Sequence, residues 1–370
     1  MRIFFAVDGS KLITPGNYGS ILVSTNAGFT WNTNNTPNNT PTSAWLALAF
    51  SAGGNRSVAV GFENYSPLKS AIYTSTNGGT SWISNNTPNK WWVSVASSAD
   101  GNKLVAVAGD PSNFYPANTW GIYTSTNGGT AWNSNNVPSK PWTCVASSAD
   151  GNKLVATSAR SIYTTTNAGL TWVSNNVPAY YWVSVASSAD GNRLVAASSH
   201  ALSLSQSTIY TSTDGGAVWT LNTVPVSYPT SVASSADGSK LIAVDRNHGI
   251  YTTTNAGALW VQNAVASIPW TSAVSSADGN RLAVAGGRAE VYVSYTTPTP
   301  SLSIANIGSN TRLSWIIPSL PFSLQQNTDL TTTNWLDFTN QPTLNFNTLE
   351  YEVALPLSPV NTFYRLKSSP

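Results

Sequence analysis

Charge is the first thing this sequence has little of: Asp, Glu, Lys and Arg make up 9% of 370 residues, with a formal net charge of +2. There is no basic field of the kind that grips a phosphate backbone, so nucleic acid is not an expected partner. Cysteine is nearly absent. The single Cys144 cannot close an intramolecular disulfide, and with two histidines in the whole chain no Cys/His cluster has metal-ligand spacing. No metal or cofactor is therefore expected. No apolar run approaches the roughly 18 to 20 residues that span a bilayer, and no leader of basic, apolar and then small residues follows Met1. Helical periodicity is missing throughout, so stability has to come from packed sheets.

What is present is repetition. The segment Ser97-Ser98-Ala99-Asp100-Gly101-Asn102-Lys103-Leu104 returns around Asp150, Asp190, Asp237 and Asp278. A shortened version stands at Asp8-Gly9-Ser10-Lys11-Leu12 and a degenerate one runs from Ser51 to Arg56, which makes seven copies. Between them lies a second motif, Ser75-Thr76-Asn77-Gly78-Gly79-Thr80-Ser81-Trp82, with counterparts ending at Trp31, Trp132, Trp172, Trp219 and Trp260, six copies in all. The Asp-Gly markers are about 40 to 50 residues apart, the size of one four-stranded propeller blade. One unit predicts strands at Trp92 to Ala96, Lys103 to Ala108, Gly121 to Ser125 and Trp132 to Ser134, all rich in β-branched and aromatic residues.

Both motifs make sense as turns. In Ala-Asp-Gly-Asn the carboxylate accepts from nearby backbone amides and Gly supplies a positive φ. In the second motif Asn or Asp does the same work, and Trp folds back over the hairpin. A further tryptophan stands eight residues before the Asp-Gly marker at Trp92, Trp142, Trp182 and Trp270, with Trp45 before Gly53 and Pro229 interrupting the series. Its recurrence points to packing between blades.

The second motif resembles the Asp-box, or BNR repeat, of sialidases and many other bacterial propellers, among them photosystem assembly factors of the Ycf48 type. The resemblance covers residues 1 to about 295. It departs at Asn26, Asn77, Asn127, Asn167 and Asn255, where the usual Asp is Asn, and keeps the acid at Asp214. The segments Ser94 to Gly101, Ile122 to Gly129 and Phe363-Tyr364-Arg365-Leu366-Lys367 are also similar to exported repeat proteins of Verrucomicrobia-like bacteria, which have no assigned activity. The resemblance implies an all-β chain: a seven-bladed β-propeller over residues 1–296, then a Thr297-Pro298-Thr299-Pro300 linker. Short alternating segments over 301–370 read as a small β-sandwich of the immunoglobulin or fibronectin type. With few charges and much Ser, Thr and Asn, the expected place is outside a bacterial cell or on its surface.

In such a propeller both repeated turns fall on one face, so residues that break the repeat gather on the other, where binding residues concentrate. Candidate ligand contacts are Tyr65, Tyr115, Trp120, Arg160 and His200, then Arg246, His248 and Arg288. Tyr181 and Tyr228, with Trp91 and Tyr180, are candidate stacking surfaces. A sialidase would need three clamping arginines, a Tyr nucleophile with a Glu partner and an acid/base Asp. Arg56, Arg193 and Arg281 instead occupy the turn slot of Lys103 and Lys153, and Glu63 and Glu290 are the only glutamates before the linker. Other glycosidases need paired carboxylates, whereas Glu63, Asp110, Asp245 and Glu290 belong to different blades. The expectation is a non-enzymatic module that binds a glycan or protein partner on its variable face. The alternatives are a structural subunit of an extracellular filament, sheath or surface layer, self-assembling through sheet edges and the C-terminal unit, and a sialidase-like hydrolase.

Overall fold

The computed structural model describes residues 4–5, 11–15, 20–26, 28–34, 44–65, 68–109, 120–199, 207–247, 249–263, 268–287, 290–295, 300–317, 322–345, 348–356 and 361–368. Every regular element among them is a strand. No helix is long and apolar enough to cross a membrane.

Up to Tyr295 the described strands form seven successive antiparallel sheets in chain order. Six have four strands and the last has three, Trp270–Ser275, Arg281–Gly286 and Val291–Tyr295. The third sheet is typical: Trp92–Ser97, Leu104–Ala108, Gly121–Ser125 and Asn133–Ser134. These match the expected strands to within a residue or two, because β-branched and aromatic composition and turn chemistry set strand bounds locally. The first strands of successive sheets adjoin one another, and that of the seventh adjoins that of the first. This is β-propeller architecture.

The turns do what their residue types dictate. Ser98 Oγ donates to Asp100 Oδ1 at 2.6 Å and the Asn102 amide donates to the same oxygen at 2.9 Å. Asn102 Nδ2 serves Asp100 Oδ2 at 2.7 Å, and Gly101 takes φ +73°. Burial opposes the Asp100 charge, but the bonds from Ser98 and Asn102 and the nearby Lys103 outweigh it, so its pKa lies below the ordinary aspartate value. In the second motif Asn127 Oδ1 accepts from the Ala131 amide at 2.9 Å, as Asp214 Oδ1 does from the Val218 amide at 3.0 Å. Asn thus keeps the turn that Asp makes elsewhere. The Gly128 amide donates to Asn102 O at 2.8 Å, which places both turns of one sheet at the same end.

Contacts between sheets explain both tryptophan series. Trp92 is fully buried among Val58, Val60 and Ile72 of the second sheet and its own Val95 and Leu104. It meets Tyr123 edge-on at 5.2 Å. Trp142, Trp182 and Trp270 are also fully buried and pair with Tyr163, Tyr210 and Tyr292 in the same way. The motif tryptophans cover the same seams from outside: Trp132 packs on the second sheet's core and Trp31 on that of the seventh. The repeat's cation slot ties neighbours together. Lys103 Nζ reaches Asp150 O at 3.0 Å in the next sheet, and Arg56 and Lys153 reach Asn102 and Asn192 in theirs.

After Pro300 two more sheets follow, one of four strands and one of three. They share a core of Leu313, Trp315, Leu324, Val353 and Leu355.

Candidate functional site

The two ends of the ring differ in chemistry. At the turn end the backbone amide of each repeat alanine donates to the next: Ala52 to Ala99, Ala99 to Ala149, Ala149 to Ala189, Ala189 to Ala236 and Ala236 to Ala277, all at 2.7–2.8 Å. Their methyl groups form one buried cluster, and Ile317 of the C-terminal unit sits in it with Leu344, Leu349 and Tyr351 around it. The Ile317 amide donates to Leu349 O at 3.1 Å, and Leu349 holds φ +58°. Leucine there carries a backbone cost of about 1 kcal/mol or more. A cavity of about 180 Å³ lies directly inside this plug, bounded by Ala99, Ala149 and Leu349. A larger one of about 380 Å³ follows along the axis, walled by the first strands. Small residues keep the bore open: Ser94 Oγ, Ser184 Oγ and Ser231 Oγ each accept an amide from a neighbouring sheet. Cys144 lies in the same wall, half-buried.

At the opposite end the chain approaches each first strand beside the hairpin that joins strands two and three. The amides of Gly109, Ala159, Ser199, Arg246 and Gly287 donate to the carbonyls of Trp91, Pro141, Tyr181, Tyr228 and Pro269. Among the described residues the loops between sheets and the hairpins between second and third strands thus share this end. Tyr228 is 45% exposed and touches Arg246 through a 2.9 Å backbone bond, with Arg246 itself exposed. Tyr181 is half-buried and bonded likewise to Ser199, and Arg160 is exposed on its two-residue turn. Trp120 is half-buried just before the strand Gly121–Ser125, and its indole N–H is buried. Tyr65 ends the strand Ser57–Tyr65. Tyr115, His200, His248 and Arg288, with Asp110, lie outside the described residues.

Two residues weighed from the sequence serve the frame. Asp245 is 1% exposed, with Oδ1 accepting from the Gly249 amide at 2.8 Å and Oδ2 from the Ser227 amide at 3.2 Å. It closes its own hairpin and anchors the approaching loop, so its carboxylate is structural. Burial first, and then the Asp245 charge, raise the pKa of Tyr251, whose hydroxyl donates to Pro225 O at 3.0 Å. Tyr180 packs 6.0 Å from Trp182 and 6.3 Å from Tyr210 and is half-buried rather than a free stacking surface. Sequence reasoning missed Ile317 and Leu349. Their only signal was an apolar pair near strand ends in the tail.

No family model matches the chain, and no curated protein matches it. Similar solved structures are β-propeller proteins. YCF48 bound to D1 peptide shares 14% identity at TM-score 0.58, over 80% of this chain and 93% of that one. Kuenenia stuttgartiensis hydrazine synthase shares 15% at 0.62, over 80% and 95%. YCF48 from Cyanidioschyzon merolae shares 12% at 0.54, over 80% and 94%. At these identities the likeness is one of fold.

Proposed function

We propose that this chain is a seven-bladed propeller on divergent Asp-box turns, capped by a C-terminal β-sandwich, and that it is a non-catalytic module binding an extended polypeptide on its loop face. Ring order among the seven sheets supports the blade number, and the core shared by the two last sheets supports the sandwich. The observation that carries the function is the filled turn end. Ile317 and Leu349 occupy the alanine ring, which leaves ligand access to the end where Tyr181, Tyr228, Arg160 and Arg246 stand. Exposed tyrosine beside arginine is interface chemistry, supplying flat apolar area and a fork of donors for peptide carbonyls. A similarly folded protein, YCF48, was solved with a peptide bound. The sparse charge supports a place outside a bacterial cell.

The test is to pan a library of random dodecapeptides on the immobilised full chain and measure selected peptides by calorimetry. Tyr228→Ala with Arg246→Ala should weaken binding at least about tenfold, as loss of two anchors of roughly 1 kcal/mol or more implies. Selection of no peptide, together with a positive glycan array, would replace this reading with sugar recognition.

A further inference from the structure

The seventh sheet is one strand short, and the other six show what belongs there. In each of them the third strand's outer edge is covered by a strand that follows the motif tryptophan. In the third sheet the pairs are Tyr123 with Ser134 and Thr124 with Asn133, and the Asn135 amide donates to Ile122 O at 2.9 Å. The same Asn-to-Ile bond recurs from Asn85 to Ile72, Asn175 to Ile162 and Asn263 to Ile250. Trp-x-x-Asn is thus the recurring unit that fills this position.

Val291–Tyr295 offers the same template without the cover. Val291 pairs with Ala285 and Tyr292 with Val284, as Ile122 pairs with Val107 and Tyr123 with Ala106. Val291 and Val293 therefore stand where Ile122 and Thr124 turn their backbone groups outward. No described strand pairs with that edge. Tyr292 is 43% exposed, whereas its counterparts Tyr73, Tyr163, Tyr210 and Tyr251 are 1 to 9% exposed and Tyr123 is half-buried. The seam between the sixth and seventh sheets also lacks a motif tryptophan in its cluster. The strand reads Val-Tyr-Val-Ser-Tyr, without the Lys or Pro by which natural proteins blunt an open edge.

Among the described residues no segment is spare for this place. The chain's own continuation carries Pro298 and Pro300, which have no amide to give to a ladder, and its next tryptophan, Trp315, is 2% exposed in the C-terminal core. A second copy is no better supplied, since the six motif tryptophans serve their own sheets. The strand after Trp335 is already paired with Phe322–Asn327.

We infer that the outer edge of Val291–Tyr295 is a second binding site, which takes an extended segment of another protein as its fourth strand, with a tryptophan over the seam and an asparagine three residues later.

The probe is a labelled nonapeptide with the sequence of residues 130–138, Thr-Ala-Trp-Asn-Ser-Asn-Asn-Val-Pro, titrated into the full chain. Binding at one to one is expected, with a Kd of roughly 10 to 100 µM for one short strand and one aromatic anchor. Trp→Ala in the peptide should weaken it at least about tenfold, and Val293→Pro in the protein, which deletes an outward amide, should abolish it. If Val293→Pro fails to fold, Tyr292→Lys provides the same reading by placing a charge on the seat. Absence of binding, or binding indifferent to these changes, overturns the proposal. So does concentration-dependent association of the chain alone that Val293→Pro removes, since the edge would then belong to a second copy.

Discussion

The amide of Ala99 donates to the carbonyl of Ala149 at 2.7 Å across the gap between two sheets, and the same bond recurs around the ring. This contact couples the blades mechanically at their turn end and sets the diameter of the ring in which Ile317 rests. Ala99, Ala149, Ala189, Ala236 and Ala277 each precede the aspartate whose hydrogen bonds shape the turn, so turn geometry and inter-blade contact are one unit there.

The aspartates make the ring acid-sensitive. At Asp100, Asp150, Asp190 and Asp237 burial opposes the charge, but hydrogen bonds from the preceding serine and the residue two places on, with a nearby Lys or Arg, outweigh it and hold each pKa below 3.8. Folded carboxylates then release protons more readily than unfolded ones. They stabilise the protein above that value, and the contribution is lost as pH falls through the lower folded values. The unfolding temperature should be nearly flat from about pH 7 to 5 and fall steeply below about pH 4. Asp150→Asn should flatten that fall, measured by circular dichroism across the range.

Among the described residues, two second-motif turns hold strain that three others avoid. Ala168 and Ala256 take φ +55° and +57°, where the equivalent Gly78, Gly128 and Gly215 take +70°, +67° and +73°. An alanine methyl in this left-handed region costs roughly 1 kcal/mol, offset in part by the extra freedom of glycine in the unfolded chain. Ala168→Gly is expected to raise stability by about 0.5 kcal/mol, and the double variant with Ala256→Gly by about twice that. Chemical denaturation gives the measurement, and a loss of stability would show the turns to be relaxed.

Ile317 is buried to 5% exposure among alanines from several blades. Ile317→Asp would set a carboxylate in that ring, at a cost of several kcal/mol that separation of the two units relieves. Scattering should then show a larger radius of gyration, and limited proteolysis should part the units while the propeller keeps its melting transition. An unchanged radius would mean that the seat tolerates charge and that the plug contributes little to holding the units together.

Much of the architecture was legible in the sequence because it is local. The Ser98 to Lys103 turn is shaped by hydrogen bonds among its own six residues, and Leu104 to Ala108 is a short apolar run bounded by turn residues. The division between a monotonous face and a variable one followed from the same hairpins. The individual variable residues were harder: Tyr228 and Arg246 emerged as neighbours, whereas Asp245 and Tyr180 turned out to serve the frame.

What the sequence determined by itself was the repeat, its strands and the chemistry of its turns, since these depend on groups a few residues apart. Tertiary structure alone decided that Ile317 and Leu349 fill the ring and that Tyr292 lies uncovered. Those outcomes depend on which surfaces meet after the sheets have curved round, and contact between residues hundreds of positions apart leaves no period in the chain.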